Sequence, residues 1–250
     1  MFISKYNASG NDFVIFHSFV KKDRSELAKK LCHRQTGVGA DGLIVLVPHD
    51  KLAYEWEFYN SDGSLADMCG NGSRATAHYA FTQGLASSKH SFLSGAGEIK
   101  CEVDADIVQV ELTKPKSLKS RFSDEGREWS FFDTGVPHLV TYVDDLDEYS
   151  KELASTMRYR YNANVNFVKK EGNTLRVRTY ERGVEDETLA CGTGMAACFY
   201  TAYLDGLVPN ITKVYPTSGE ELTLSFKDGS IYFKGKVQKV FSTELDICQD

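Results

Sequence analysis

The stretch ADMCGNGSRATAHYAFTQGL, residues 66–85, has a counterpart in TLACGTGMAACFYTAYLDGL, residues 188–207. The two segments align at a constant offset, with identical residues at Cys69/Cys191, Gly70/Gly192, Gly72/Gly194, Ala75/Ala197, Ala80/Ala202, Gly84/Gly206 and Leu85/Leu207. Each segment is typical of a Cys-Gly-x-Gly turn followed by a helix that stops at a glycine, a common residue at helix C-termini. One copy in each half of the chain predicts an internal duplication.

The two duplicated helices, predicted over Ser73–Gln83 and Met195–Asp205, carry small and apolar residues on most of their sides. Such a helix is enclosed by protein, whereas Arg24–Arg34 and Asp144–Arg158 have the pattern of surface helices. Most of the remaining pattern is strand-like: Tyr54–Tyr59, Ile107–Leu112, Leu139–Val143, Leu175–Tyr180, Leu222–Phe226, Ile231–Phe233 and Val237–Phe241. We therefore expect, in each half, a sheet curled around one central helix.

A second repeated pair supports the duplication. Gly10–Ile15 and Gly135–Val140 are both predicted to be a turn that leads into a strand. Strand patterns give way to a link at Lys114-Pro115-Lys116, where we place a domain boundary. The expected domains are 1–114 with Cys69 and 115–236 with Cys191, with a last strand at about 237–250 returning to the first domain and the active site in the cleft between the two.

Composition narrows the class of protein. The 250 residues are 42% hydrophobic, which is enough for folded cores, and the formal net charge of −6 argues against a nucleic-acid partner. The longest apolar run, near Leu43–Val47, is far too short to cross a membrane, and the first residues do not have the pattern of a signal peptide. We expect a soluble, cytoplasmic protein with neither nucleic acid nor membrane as a partner.

The six cysteines are scattered along the chain, and none forms a Cys-x-x-Cys pair. That distribution predicts free thiols rather than a disulfide framework or a zinc site, and no metal is expected. Burial as a small apolar side chain is the ordinary role of such a thiol. We assign that structural role to Cys32, Cys101, Cys198 and Cys248.

Cys69 and Cys191 have a more specific context. The glycines that follow them allow close approach of a ligand to the backbone, and a helix start presents free N–H groups and a positive dipole end to a carboxylate. A cysteine in that position is expected to have a lowered pKa. Two cysteines on opposite faces of a substrate carbon can remove and return a proton, which is racemisation or epimerisation without a metal or pyridoxal cofactor.

Four motifs, MCGNGSR, YERGVEDETLACGTGMAA, GNDFVI and GVGADGLI, occur in the order found in the diaminopimelate epimerase family, which the chain resembles over essentially its whole length. The resemblance implies an α+β fold of two pseudo-symmetric domains, each a mostly antiparallel sheet around a central helix. It also implies interconversion of LL- and meso-diaminopimelate, a small-molecule substrate, without a cofactor. In bacteria this reaction serves lysine and peptidoglycan precursor synthesis. The oligomeric state stays open, with a homodimer as the assembly to test.

The resemblance assigns the acid/base roles to Cys69 and Cys191. It implies substrate contacts at Asn11, Asn60, Gly70, Asn71, His138, Asn164, Glu181, Arg182, Gly192 and Thr193. The residue types suit a substrate with two amino acid ends, because arginine grips a carboxylate, glutamate pairs with an ammonium, and asparagine both donates and accepts.

Two positions depart from the family pattern, and three of the implied substrate contacts could instead have an ordinary structural role. Val136 stands where many members carry asparagine, and Gly42 where some carry glutamine. Asn11 and Asn60 can also be plain turn residues, and His138 a plain residue at a strand end.

Three alternative functions remain open on the sequence alone. A proline or hydroxyproline racemase-like enzyme shares the paired cysteines but does not need an arginine and several asparagines for a second amino acid group. A hydrolase or acyltransferase with one cysteine and His138 leaves the duplicated motif unexplained. In the third alternative, a redox switch or binding protein, Cys69 and Cys191 form a disulfide.

Overall fold

The computed structural model describes residues 1–246. In that part of the chain, the strands are β1 Phe2–Ala8, β2 Asn11–His17, β3 Gly42–Val47, β4 Glu55–Asn60, β5 Lys89–Ser94, β6 Gly97–Asp104, β7 Ile107–Glu111, β8 Lys116–Asp124, β9 Arg127–Asp133, β10 Pro137–Tyr142, β11 Asn164–Glu171, β12 Thr174–Glu181, β13 Asp186–Thr188, β14 Ile211–Tyr215, β15 Leu222–Lys227, β16 Ser230–Lys236 and β17 Gln238–Glu244. The α-helices are α1 Ser25–Cys32, α2 Gly70–Thr82, α3 Lys151–Tyr161 and α4 Gly192–Leu204.

The chain forms two compact units. The first contains Met1–Val110 and the described carboxyl-terminal residues 235–246, and the second is Glu111–Lys234. The division therefore falls slightly before the Lys114-Pro115-Lys116 link. Cys69 lies in the first unit and Cys191 in the second.

Both units have the same strand order and the same sequence of strand directions. In the first, β17, β1, β2, β3, β4, β5, β6 and β7 pair in that order; in the second, β8, β9, β10, β11, β12, β14, β15 and β16 do so. In both, the three central pairs are parallel, antiparallel and parallel in turn, and the outer pairs are antiparallel. This agreement is the duplication predicted from the sequence, expressed in topology.

Each unit encloses one helix. The helix α2 packs against β1, β2, β3 and β6, and α4 packs against β9, β10, β11, β12, β14 and β15. Every residue from Gly70 to Ala80 is buried, as are most residues of α4, including Cys198. The sheet-rich α+β fold with a central helix in each half is thereby confirmed.

Both enclosed helices start earlier than predicted, directly after the cysteine. Cys69 and Cys191 are the N-cap residues with extended backbone, so the glycines lie in the first helical turn rather than before it. Each helix ends as predicted, because Gly84 and Gly206 adopt positive φ and the next residue bonds back to the last turn: Leu85 N to Ala80 O and Leu207 N to Ala202 O, both 2.9 Å.

The prediction of one helix over Asp144–Arg158 is wrong. A short 3-10 helix, Leu146–Glu148, is closed by a capping box between Asp145 and Glu148, and the chain then extends at Tyr149. Ser150 caps a new helix, α3, by accepting a hydrogen bond from Leu153 N. Two competing N-cap residues divide the segment, since each satisfies the free N–H groups of its own helix start.

The remaining surface helix is close to its predicted extent. The helix α1 covers Ser25–Cys32, inside the predicted Arg24–Arg34. It buries Ala28, Leu31 and Cys32 in the hydrophobic core of the first unit. Within residues 1–246, no helix combines the length and apolar character needed to span a membrane.

Two candidate half-sites

The first Cys-Gly-x-Gly motif places Cys69 at the start of α2. The Cys69 side chain is half-buried, and its Sγ accepts a hydrogen bond from the backbone N–H of Gly72 at 3.3 Å. The Cys69 carbonyl accepts the first helical bond, from Ser73 N at 2.8 Å. The sulfur is therefore held over the free N–H groups of the first helical turn, in the position that favours an anion.

Asn71 and Asn11, both predicted substrate contacts, lie together beside this helix start. Asn71 Nδ2 donates to Asn11 Oδ1 at 2.7 Å, and Asn11 Nδ2 donates to Asp41 Oδ2 at 3.0 Å. The fully buried Arg74 donates from Nη2 to Asn71 Oδ1 at 2.9 Å and to Ser9 Oγ at 2.6 Å. Arg74 at one end and Asp41 at the other thus fix the orientation of both amides.

Asn60 lies apart from this chain of amides. It is exposed at the end of β4, and its Nδ2 donates to Ser64 Oγ at 3.0 Å, within its own turn, rather than to Asn11 or Asn71. The opposing residue on β3 is Gly42, where an added Cβ would lie 2.6 Å from the Phe58 ring and 2.8 Å from Tyr59 O. A glutamine at position 42 would therefore need the neighbouring strand to move.

The second motif places Cys191 at the start of α4, in different surroundings. Cys191 is only 7% exposed, and its Sγ lies 3.6 Å from Thr193 Oγ1. Burial, and after it the Glu181 carboxylate, raise the pKa of the Cys191 thiol well above its ordinary value, although Thr193 and the Gly194 N–H act in the opposite direction. The expected lowering of the pKa is therefore wrong for Cys191, because desolvation outweighs the helix start.

His138 and Asn164 are register neighbours on the parallel strands β10 and β11. His138 Nε2 lies 2.9 Å from Thr193 Oγ1 and 3.4 Å from Asn164 Nδ2. The imidazole is completely buried, and this burial lowers the pKa of His138 to about 3, so the ring is neutral near pH 7. The predicted strand-end histidine is thus connected to the second helix start through Thr193.

Glu181 and Arg182 follow one another at the end of β12. The Arg182 backbone N–H donates to Asn164 Oδ1 at 2.7 Å, and the Arg182 guanidinium donates to Asn162 O at 3.1 Å. The Glu181 carboxylate accepts a hydrogen bond from Thr188 Oγ1. Arg182 and Asn164 therefore belong to one connected group with His138 and Thr193, and Glu181 acts on Cys191.

The start of α4 is also tightly packed through its backbone. A Cβ added at Gly192 would lie 3.0 Å from the Phe233 ring, and Thr134 Oγ1 donates to Thr193 O at 2.8 Å. Within residues 1–246, no group of three or more His, Cys, Asp or Glu side chains is arranged to hold a metal ion.

Comparison of the sequence with known protein families shows which family has these motifs. The sequence profile described as diaminopimelate epimerase matches residues 3–118 and 130–240. The chain belongs to the diaminopimelate epimerase family. It is 58% identical over 244 residues to the diaminopimelate epimerase of a Nitratiruptor species, covering 97% of this chain and 98% of the relative. The Campylobacter jejuni protein of that name (strain RM1221) is 56% identical over 243 residues, with the same coverage.

Family membership confirms the resemblance predicted from the motifs and the activity class, an epimerase. A solved structure of a probable proline racemase from Agrobacterium radiobacter K84 superposes with a TM-score of 0.78, covering 99% of this chain and 93% of that one. The sequences share only 12% identity, so this similarity shows the fold and does not favour the racemase alternative.

Val136, the other departure from the family pattern, sits in the loop before β10. Its backbone carbonyl accepts a hydrogen bond from Thr134 N at 3.3 Å, and its side chain is half-buried. The neighbouring Gly135 has a φ of 123°, which favours glycine there.

Two further residues, Arg74 and Asn166, were not among the predicted site residues, although Arg74 bonds Asn71 within the first half-site and Asn166 bonds His138 within the second. Both had a detectable signal. Arg74 is the one arginine in a helix of otherwise small, apolar or neutral side chains, three positions after Asn71 and so on the same helix face. Asn166 follows Asn164 by two positions in a strand, which places both side chains on the same face of the sheet.

Proposed function

We propose that this protein interconverts LL- and meso-diaminopimelate, in the synthesis of lysine and of peptidoglycan precursors. The observation that carries the proposal is the duplicated half-site: in two units of equal strand order, a cysteine caps the start of a buried helix. Two equivalent proton carriers are what inversion at carbon requires, and membership of the diaminopimelate epimerase family supports the choice of substrate.

In the proposed reaction, the thiolate of one cysteine removes the α-proton from one face of the substrate. The C–H bond breaks, an S–H bond forms, and the electron pair is delocalised into the α-carboxylate. The thiol of the other cysteine then delivers its proton to the opposite face, so the carbon is inverted and the two sulfurs have exchanged protonation states. The reverse reaction starts from that exchanged state.

Backbone N–H groups stabilise the intermediate in this proposal. Gly70 and Asn71 begin α2, and Gly192 and Thr193 begin α4, so each helix start offers unpaired donors and a positive dipole end to the α-carboxylate. The raised pKa of Cys191 supports its being the thiol in the free protein.

The second amino acid group of the substrate distinguishes this reaction from proline racemisation. We assign the distal carboxylate to Arg182, the ammonium to Glu181, and further polar contacts to Asn11, Asn60 and Asn164. The orientation of Asn164 by the Arg182 N–H supports a site that recognises both ends.

A hydrolase with His138 as the base is less well supported. His138 Nε2 lies next to Thr193 Oγ1 at 2.9 Å, so a hydroxyl rather than the Cys191 sulfur is its partner. A pKa of about 3 also makes this imidazole a weak proton acceptor.

Deuterium exchange tests the proposal. In deuterated water, LL-diaminopimelate should acquire label at one α-carbon, and proline should not. Cys69→Ser and Cys191→Ser should each lower the epimerisation rate by about a thousandfold or more, because each removes one of two obligatory proton carriers. Each variant should keep some elimination activity on a halogenated substrate analogue.

Cys101→Ser is the matched control, since Cys101 is a buried thiol on β6 outside both half-sites, and it should keep the wild-type rate. Label in proline but not in diaminopimelate would contradict the proposed substrate. A Cys69→Ser or Cys191→Ser variant with full activity would contradict the two-cysteine mechanism.

We also propose that the protein works in the cytoplasm as a homodimer. Exposed apolar side chains on the paired strands β1 and β17, namely Phe2, Val240 and Phe241, support association with a second copy. Sedimentation velocity should then give twice the mass of one chain, and Phe241→Lys should shift the protein toward the monomer.

A further inference from the structure

Asn166 lies at the centre of the second half-site, and none of the substrate contacts implied by the family motifs falls on it. It is completely buried on β11, between the neighbouring strands and the start of α4. A Cβ added at Gly194 would collide with Asn166 Oδ1, so the second glycine of the Cys-Gly-x-Gly motif makes room for this amide. The amide therefore packs directly under the helix start that carries Cys191.

Two hydrogen bonds fix which end of the Asn166 amide is which. Asn166 Nδ2 donates to the backbone carbonyl of Leu139 at 2.8 Å, and Asn166 Oδ1 accepts from Thr179 Oγ1 at 2.9 Å. A carbonyl oxygen only accepts, so the group facing Leu139 is the NH₂ group. Its second hydrogen is free for one more acceptor.

That acceptor is His138 Nδ1, which lies 3.1 Å from Asn166 Nδ2. Since Asn166 Nδ2 only donates, His138 Nδ1 carries no hydrogen, and the single N–H of the neutral ring is on Nε2. Asn164 Nδ2 also approaches Nε2, but at 3.4 Å, whereas Thr193 Oγ1 is at 2.9 Å and can accept. The Nε2–H tautomer thus allows a hydrogen bond in the shorter contact of each ring nitrogen, from Asn166 to Nδ1 and from Nε2 to Thr193.

The Thr193 hydroxyl is the next member of the chain. It accepts from His138 Nε2, and its own hydrogen is then available to Cys191 Sγ at 3.6 Å. We propose that Asn166 is a positioning residue that holds His138 in the Nε2–H tautomer, so that Thr193 donates a hydrogen bond to the Cys191 sulfur. The catalytic use of this bond rests on the two-cysteine reaction proposed above.

The bond matters most when Cys191 gives up its proton. A hydroxyl bonds weakly to a neutral thiol and more strongly to a thiolate, so the contact strengthens as negative charge develops on the sulfur. With the opposite tautomer, Nε2 would accept from Thr193, and the hydroxyl would present only lone pairs to the sulfur. Repulsion would then replace stabilisation at the moment of proton transfer.

The tautomer can be measured without any turnover. In protein labelled with ¹⁵N-histidine, the long-range ¹H–¹⁵N spectrum should show an N–H-type Nε2 and an unprotonated-type Nδ1 for His138, identified by its loss in His138→Gln. Because this measurement uses the wild-type protein, it tests the inference even if variants fold poorly. An Nδ1–H tautomer would overturn the inference.

Asn166→Asp tests the role of the amide. A carboxylate has no N–H to donate, so the His138 proton should move to Nδ1, and kcat for LL-diaminopimelate should fall about ten- to a hundredfold, the equivalent of one hydrogen bond to a charged group. KM should change less than about threefold, since the lost bond forms in the transition state. Asn173→Asp, the same change in the exposed turn between β11 and β12, should alter neither the tautomer nor kcat.

Thr193 provides a second, independent measurement. Thr193→Ser keeps a hydroxyl and should stay within about threefold of the wild-type kcat, whereas Thr193→Val should lose about as much as Asn166→Asp. In the double variant the two losses should not add, because both act through one hydrogen bond to Cys191. Additive losses, or a wild-type kcat in Asn166→Asp with the tautomer changed, would overturn the catalytic part of the inference.

These outcomes separate the inference from the proposed function. If the wild-type protein holds the Nε2–H tautomer but exchanges no α-hydrogen of diaminopimelate, the proposed function fails and the positioning of His138 by Asn166 stands. If it epimerises diaminopimelate with His138 in the Nδ1–H form, the proposed function stands and the inference fails.

Discussion

The two cysteine motifs share a backbone arrangement but differ in what surrounds the sulfur. Cys69 is half-buried, and its sulfur is bonded to a backbone N–H of its own helix; Cys191 is buried beside the hydroxyl of Thr193 and near the carboxylate of Glu181. Duplication has preserved the helix start and the glycines, while the side chains around the sulfur have diverged. The same motif therefore gives its sulfur different surroundings in the two units.

The residues behind each motif differ in the same way. In the first unit, the orientation of Asn71 and Asn11 depends on charged groups, Arg74 and Asp41. In the second, the orientation of His138 depends on uncharged groups, Asn166 and Thr179. We expect the stability of the first unit to fall strongly when a charged side chain such as Arg74 is removed. The stability of the second unit should depend mainly on close packing and on the protonation of His138.

The largest effect is expected for Arg74→Met. The replacement leaves the buried acceptors Ser9 Oγ and Asn71 Oδ1 without this donor, so the free energy of unfolding should fall by about 3 kcal/mol or more. Arg176→Met is the control: this exposed arginine bonds Glu171 on the surface, and its loss should cost at most about 1 kcal/mol. Urea denaturation measures both values, and equal losses would contradict the proposed importance of Arg74.

An intermediate effect is expected when the second glycine of each motif becomes alanine. Gly194→Ala forces a Cβ against Asn166 Oδ1 and to 3.1 Å from Thr179 Oγ1, and should cost about 1–3 kcal/mol. In Gly72→Ala the nearest atom is the flexible end of Ile44 at 3.3 Å, so the change should be less than about 1 kcal/mol.

Urea denaturation followed by the fluorescence of Trp56, in the first unit, and Trp129, in the second, measures the loss of stability in each glycine variant. If the free energy of unfolding falls as much in Gly72→Ala as in Gly194→Ala, the two glycines have equivalent roles, and the difference in their surroundings has no effect on stability.

At neutral pH the smallest effect is expected from the buried His138 of the second unit, because its contribution grows only as the pH falls below the ordinary pKa of histidine. The pKa of His138 is lowered to about 3 in the folded protein, so below its ordinary value of 6.5 the unfolded chain binds a proton that the folded chain does not. The free energy of unfolding should therefore fall as the pH decreases, with an additional loss of about 1.4 kcal/mol for each pH unit between these values. In His138→Gln this contribution should be absent, and an unchanged slope would contradict the lowered pKa.

Much of the fold followed from sequence because its signals are local. The periodicity and glycine stops of residues 66–85 and 188–207 predict both central helices, and the repeat of a whole motif predicts two similar domains. The division at Tyr149 could not be predicted in this way, because Asp145 and Ser150 are both good N-cap residues and the choice depends on which contacts each helix finds.

The candidate site was predictable in its residue types but not in its electrostatics. The helix start is visible in the sequence and predicts a lowered pKa for Cys191, whereas the burial of Cys191 and the approach of Glu181 depend on residues distant along the chain. Asn166 shows the same limit: its spacing from Asn164 gives its face, but its bond to His138 depends on the parallel register of β10 and β11.

The position of β17 has a consequence for how the molecule forms. In the sequence, β17 follows the whole of the second unit, yet it is the edge strand of the first unit. It pairs with β1, where Glu244 lies opposite Phe2. During synthesis, every strand of the second unit leaves the ribosome before the first unit can complete its sheet. The half that carries Cys191 can therefore finish folding first, and the half that carries Cys69 matures only when the last strand arrives.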